Sequence, residues 1–354
     1  MLICNLGPYT RRCHRRRVII KGLRKNDVDV IDCNDLSNQR LLRYLRLVKK
    51  YLKTDYDITF LGTGGYSGHP MVPLAKTISR KPIIFDAFLG LHETHVIDTE
   101  YVRAGSLTAK LYHFLDLSAL KLADLVLTDT NAHIGYFHRE FGLKNKKFRR
   151  IFVGSDDEVF YPRKAKKKND CFLVLFWGQF IPLQGIEHII QAAKLLEDQK
   201  EIHFKLIGYG QTYDKVRNLS EKLKVKNVGF HTSWVRYEEL PNYVARADVC
   251  LGIFGDSEKA QRVIPNKAYE SIAMKKPLIT EDSPAAREVF RNHVNCVLCK
   301  MAEPHEIADA ILMLKENKKL RDKIAENGYR LFREKFTPKA IGKELKRYLY
   351  RLAS

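Results

Sequence analysis

The feature that most narrows the folds open to this chain is a strand-to-helix alternation that recurs in both halves. In the first half, apolar runs at 2–6, 28–33, 56–61, 81–86, 122–128 and 148–153 read as buried strands. Helical patterns at 18–23, 39–53 and 131–141 lie between them. The second half repeats the scheme, with strands expected at 171–177, 203–208, 228–231, 249–253, 277–280 and 295–298. Its helices are expected at 186–197, 214–223, 238–245, 266–274, 284–290, 304–315 and 320–335, and a closing helix at 338–352. Such alternation builds parallel sheets covered by helices, because a parallel connection needs a crossover. The basic stretch 163–169, with Ala165 its only apolar residue, reads as a linker. The expectation is two doubly wound, Rossmann-like α/β domains, 1–162 and 170–336, facing each other with a ligand in the cleft.

A length of 354 residues also favours two cores over one, and 45% hydrophobic residues suffice for both. The net charge of +21 implies an anionic partner: nucleic acid, an acidic membrane surface or a phosphorylated substrate. Lys and Arg are spread along the chain without a recognised nucleic-acid motif, so nucleic acid is not expected. The helix at 39–53 places Leu41, Leu45, Val48 and Leu52 on one stripe and Arg43, Arg46, Lys50 and Lys53 opposite. It either covers the sheet with that stripe or lies on an anionic bilayer. No apolar run is long enough to span a bilayer, and the start of the chain is not expected to be a signal peptide. The seven cysteines mostly sit in apolar runs, as reduced core thiols do. Cys296 and Cys299, with His293 nearby, form a lone pair without the second pair a zinc site needs, so no metal is expected. The expected place is the cytoplasm, or the cytoplasmic face of a membrane as a peripheral protein.

The stretch 262–280 carries the most chemistry. A loop closing on Pro265 feeds a helix, and such an end presents unpaired N–H groups and a positive dipole to an anion. Lys267 adds a full charge in the first turn, and Glu270, one turn on, can accept hydrogen bonds from sugar hydroxyls. In the first half, Arg15, Arg16 and Arg17 follow the first strand, where forked guanidinium contacts suit an acceptor's phosphate. A glycine-rich turn at 62–68 allows a tight approach of backbone to ligand. Asp86 ends the fourth strand, and the loop beyond it carries His92, Glu93, His95 and Asp98, a candidate acid/base cluster.

The second half resembles the donor domain of the family 4 glycosyltransferases, retaining and metal-independent enzymes of the two-Rossmann, GT-B architecture. The resemblance runs over nearly all of 171–335. It rests on Gly178-Gln179 with Gln184-Gly185, on Leu206-Ile207-Gly208-Tyr209-Gly210 and on Val228-Gly229-Phe230. It continues through Tyr243 to Val249, Glu270 to Met274 with Lys276-Pro277-Leu278-Ile279, and Asn295 to Leu298. It implies that Glu270 is the second glutamate of the E-x7-E motif, which holds the nucleotide ribose, while Arg262 stands where the first belongs. The family's diphosphate-binding Arg and Lys fall on Gln179 and Gln184, and its usual histidine after the fourth strand falls nearest Phe88. A variant with Pro-Asn-Lys before the glutamate resembles Pro265-Asn266-Lys267. The replacement cations expected here are Lys267, Arg262 and Lys259, with the N–H groups opening the helix at Gly185 and Ile186. In this family the final helix commonly crosses back to the first domain, which 337–354 fits.

The resemblance implies a hexosyl transfer from a nucleotide-sugar donor to a hydroxyl of a glycan or lipid-linked acceptor, with retention and no metal or other cofactor. Asp86, His92 and Lys267 are the catalytic candidates. Gly178, Gln179, Gln184, Gly185, Gly208, Arg262, Asn266, Lys267 and Glu270 are the donor-binding candidates, and Arg15, Arg16 and Arg17 the acceptor-side ones. Two alternatives stay open: a nucleotide-sugar epimerase of the same architecture, and a non-catalytic relative acting as a partner subunit.

Overall fold

The computed structural model describes residues 1–9, 13–37, 40–62, 68–143, 147–165 and 171–353. The centre of the glycine-rich turn (63–67) and the end of the linker (166–169) lie outside them. Two compact units result: Met1–Gly154 with Thr337–Ser354, and Ser155–Phe336. The division falls at Gly154, ahead of the basic stretch at 163.

Unit 1 has β1 (Leu2–Leu6), α1 (His14–Arg24), β2 (Asp29–Cys33), α2 (Arg40–Lys53), β3 (Ile58–Gly62), α3 (Gly68–Ile78), β4 (Ile83–Asp86), α4 (Leu107–Leu122), β5 (Leu125–Thr128), α5 (Asn131–Phe141) and β6 (Phe148–Arg150). All its pairings are parallel, in the order β2-β1-β3-β4-β5-β6. β3, β4 and β5 are buried at every position, as a parallel sheet covered on both faces requires. The closing helix α13 (Pro338–Ala353) packs on α1 within this unit.

Two expectations change here. The stretch after Asp86 is not an open loop: it forms a π-helical turn, Glu93–Asp98, and then α4. In α2 the inward residues are Leu47 and Tyr51, whereas Leu45 and Leu52 of the expected stripe face solvent. The turning force is Tyr51, whose phenol stacks on Tyr56 at 4.9 Å and meets the Thr59 hydroxyl of β3 at 2.6 Å.

Unit 2 has β7 (Phe172–Trp177), α6 (Ile186–Leu195), β8 (Ile202–Ile207), α7 (Tyr213–Lys222), β9 (Val228–His231), α8 (Leu240–Val244), β10 (Val249–Leu251), α9 (Asn266–Ala273), β11 (Leu278–Glu281), α10 (Pro284–Arg287), β12 (Val297–Cys299), α11 (Pro304–Glu316) and α12 (Lys318–Lys335). Its strand order is β12-β11-β10-β7-β8-β9, again all parallel. The chain winds outward from β7 to β9 and then returns to β10 on β7's other side. That reversal opens a crevice beyond the carboxyl ends of β7 and β10, the place where doubly wound sheets bind ligands.

Candidate functional site

Lys267 fills the crevice of unit 2. Pro265, extended at φ −68° and ψ 151°, starts α9 without a side-chain cap, and Lys267 is the second residue of the helix. Its ammonium donates to the Gln184 side-chain oxygen and to the Gly252 carbonyl just after β10, at 3.3 Å. It also sits 3.6 Å from the centroid of the Phe176 ring, a buried cation–π contact worth about 2 kcal/mol. Burial holds its pKa well below the usual lysine range, and the nearby Glu270 carboxylate offsets only part of that.

Glycine is required on the opposite wall. Gly178, just past β7, has φ +147°, and a Cβ there would stand 3.3 Å from the Lys267 ammonium. Gly208, just past β8, would place a Cβ 1.9 Å from the Gly178 carbonyl oxygen. Glycine thus lets the turns after β7 and β8 meet backbone to backbone, and a side chain at 178 would press on Lys267.

The other donor-side candidates surround this point. Gly185 caps the start of α6 in left-handed conformation, with no side chain satisfying the first N–H groups. Glu270 is buried and accepts from the Trp177 indole N–H at 2.8 Å. Arg262 ends a short 3₁₀ turn, Ala260–Arg262, and pairs with Glu258 at 3.2 Å. Asn266, beside Lys267, keeps a buried side-chain oxygen with no hydrogen-bond partner among the described residues. Gln179 is exposed on the turn after β7. Phe176 and Trp177 were not anticipated, although two aromatics ending a strand just before a Gly-Gln turn were a usable signal.

Unit 1 revises the arginine assignments. Arg15 is fully buried, with its Nε on both Asp86 carboxylate oxygens at 2.8 and 3.0 Å. Its remaining nitrogens donate to the Ile151 and Thr128 carbonyls at 2.6 and 3.2 Å. This buried fork ties β4, β5 and the end of β6 together, which places Arg15 in the frame of the sheet. Asp86 is likewise part of the frame: burial raises its pKa and Arg15 opposes the rise. Arg16 donates to the Asn5 side chain at 2.8 Å and the Leu6 carbonyl at 2.9 Å, with its guanidinium 3.6 Å from the Tyr9 ring centroid. Burial lowers its pKa to about 10. It fills the crevice between β1 and β3, where this sheet reverses. Arg17 is half-buried on α1.

His92 lies at the carboxyl end of unit 1's sheet, edge-on to His113 at 5.3 Å between centroids. With Gly105, Ala109, Lys110 and His113 it lines a cavity of about 260 Å³. Burial and then His113 lower its pKa below the ordinary histidine value. The backbone N–H groups of Leu91 and His92 bond to Asp116 on α4 at 3.0 and 2.9 Å, and Asp116 also meets His69 at 3.2 Å. A second buried group went unseen in the sequence. His133 stands between Asp129 at 2.8 Å and Glu93 at 3.4 Å, fastening the π-helical turn to α5.

Among the described residues no group of three His, Cys, Asp or Glu side chains is placed to hold a metal ion. The Cys296 and Cys299 thiols are buried and face the Val297 and Glu306 carbonyls. No described helix is long and apolar enough to cross a membrane.

Residues 157–331, just under half of the chain, match the family model for glycosyl transferases group 1. An uncharacterized glycosyltransferase of Methanocaldococcus jannaschii is 28% identical over 187 residues, covering 53% of this chain and 49% of that protein. The chain thus spans about half the length of that relative. The MMP alpha-(1->4)-mannosyltransferase of Mycolicibacterium hassiacum is 22% identical over 297 residues, 81% of this chain and 68% of the relative. Among solved structures, Anabaena HepE in complex with UDP-glucose superposes with a TM-score of 0.74 at 18% identity, covering 99% of this chain and 100% of that one. That likeness shows the fold, two Rossmann-like domains of the GT-B type.

Proposed function

We propose that this chain is a glycosyltransferase that moves a sugar, of the hexose class, from a nucleotide-sugar donor to an acceptor hydroxyl. Transfer proceeds with retained anomeric configuration and without a metal, through an arrangement of the family 4 kind. The observation that carries the reading is the Lys267 ammonium at the reversal point of unit 2, walled by Gly178 and Gly208. A departing nucleoside diphosphate gains charge in the transition state and needs fixed positive groups there. The resemblance puts a lysine at position 184, and here the Lys267 ammonium bonds to the side chain of Gln184. In this reading the Lys267 side chain takes that lysine's place from α9, and a bound diphosphate favours the charged form that burial opposes. The matched group 1 model covers this region, and UDP-glucose, the ligand of the HepE complex, carries the diphosphate the crevice suits. Glu270, held by Trp177, takes the ribose hydroxyls in this reading. Arg262 and the open N–H groups after Gly185 add to the anion's surroundings. The acceptor is a glycan or a lipid-linked sugar, and His92 is the acceptor-side candidate, since Asp86 is bound up with Arg15.

A thermal-shift panel of UDP, GDP, ADP and their sugars tests the reading, because a ligand of the folded state raises the melting temperature by mass action. One nucleotide series should stabilise the protein. Lys267→Ala should then weaken that nucleotide at least about tenfold, roughly 1.4 kcal/mol. A panel without any shift, or a variant that binds as tightly as the parent, overturns it.

A further inference from the structure

We propose that unit 1 docks on the interface of an anionic bilayer through the outer faces of α2 and α4. Both helices lie in one layer. Right-handed crossovers from β2 to β3, β3 to β4 and β4 to β5 put α2, α3 and α4 on the same face of the sheet. Leu47 and Tyr51 of α2, Met71 and Val72 of α3, and Ala119 and Leu120 of α4 accordingly share one core cluster.

The outer side of this layer is apolar where solvent should be. On α2, Leu42, Leu45 and Leu52 are exposed, Leu45 to 65% and Leu52 to 62%. On α4, Leu107, Leu111 and Phe114 follow one another at helical spacing and are exposed to 85, 52 and 62%. Scattered single leucines need no account, but two helices each presenting an apolar stripe do.

Charge identifies the occupant. Across α2, α3 and α4 the single acidic residue is Asp116, and it is buried. The same helices carry Arg40, Arg43, Arg46, Lys49, Lys50 and Lys53 on α2, with Lys76, Lys110 and Lys121 beyond. Three of the acids flanking this face are paired, Asp35 with Arg46, Asp124 with Lys76 and Glu140 with His113, while Asp55 after α2 is exposed. Glu100 stays exposed before α4. The core of a protein interface is depleted in lysine and charge, whereas leucine and phenylalanine interleaved with lysine suit the acyl and headgroup zones of an anionic membrane.

The test is co-sedimentation of the full chain with vesicles of phosphatidylcholine, with and without phosphatidylglycerol. Binding should require the anionic lipid and weaken with salt. Leu45→Glu with Phe114→Glu should reduce it about tenfold or more, and Lys49→Gln with Lys53→Gln should reduce it several-fold. All four positions are exposed, so melting temperature and unit 2's nucleotide binding should not move, which keeps this proposal separable from the donor reading. No binding to anionic vesicles at low salt, equal binding to neutral ones, or full binding by both variants overturns it. So does lipid-free self-association, by size exclusion, that the Leu45/Phe114 variant abolishes.

Discussion

At the scale of single residues, His133 is where the fold most directly sets a charge. Burial opposes protonation, but Glu93 and Asp129 together outweigh it and lift the pKa to about 9 from an ordinary 6.5. A group raised in the folded state stabilises fully below its unfolded pKa and loses that contribution as pH rises through the folded one. The stabilisation from His133 is thus complete below about pH 6.5 and lost through about pH 9, on the order of 2–4 kcal/mol. Asp116 and Glu281, raised by burial to about 7 and about 9, also make the whole protein less stable toward alkaline pH. The informative quantity is therefore the difference between the parent and His133→Gln, from denaturant melts at a series of pH values. That gap should be widest near pH 6 and shrink toward pH 9.5; a gap independent of pH shows that the imidazole is not charged there. His133 was invisible in the sequence because its partners lie four residues before it and on a different element. Lys267 was legible because proline, loop and helix start announce themselves locally, although only packing reveals that its ammonium is buried against Phe176.

Among the elements, α2 shows where periodicity stops deciding. Its leucines occupy two arcs, and a 3.6-residue repeat cannot say which arc meets the sheet. Tyr51 decides, through a hydrogen bond to a strand that the helix sequence does not contain. The β-strands were legible to within a few residues because central parallel strands are continuous apolar runs. α3 and α4 were not: α3 contains Pro73, and the apolar residues of α4 surround the helix. The resemblance led to an expected return of the closing helix to the first half, but its close crossing with α1 was not legible. A Cβ on Gly342 would lie 2.1 Å from the backbone of Gly22, so the two helices touch main chain to main chain. Gly342→Leu must push α13 away and should cost about 3 kcal/mol or more. Lys343→Ala, one residue on and exposed, should stay within about 0.5 kcal/mol. Equal melting midpoints for the two variants remove the close crossing from the account.

For the whole molecule, the consequential fact is the route of the chain. It completes the sheet of unit 1, leaves at Gly154 to build all of unit 2, and returns at Thr337 to finish unit 1 with α13. Unit 1 is thus discontinuous and unit 2 is not, an asymmetry that strand-helix alternation alone does not disclose. Ile341, Leu345 and Leu349 of α13 are fully buried. At about 1.5–3 kcal/mol per buried aliphatic side chain, α13 contributes roughly 5–9 kcal/mol to unit 1. Entire domains are stable by only about 5–15 kcal/mol, so unit 1 without α13 sits near zero. Unit 2 loses nothing of its sheet or of the Lys267 crevice. A chain ended after Phe336 should therefore lose the cooperative melting of unit 1 while unit 2 still unfolds in one transition. In that shortened chain, residues 155–336 should also keep measurable affinity for the nucleotide that stabilises the full protein. Two intact transitions in its calorimetric scan would mean that α13 is dispensable and that the α1 contact is worth far less than its buried area implies.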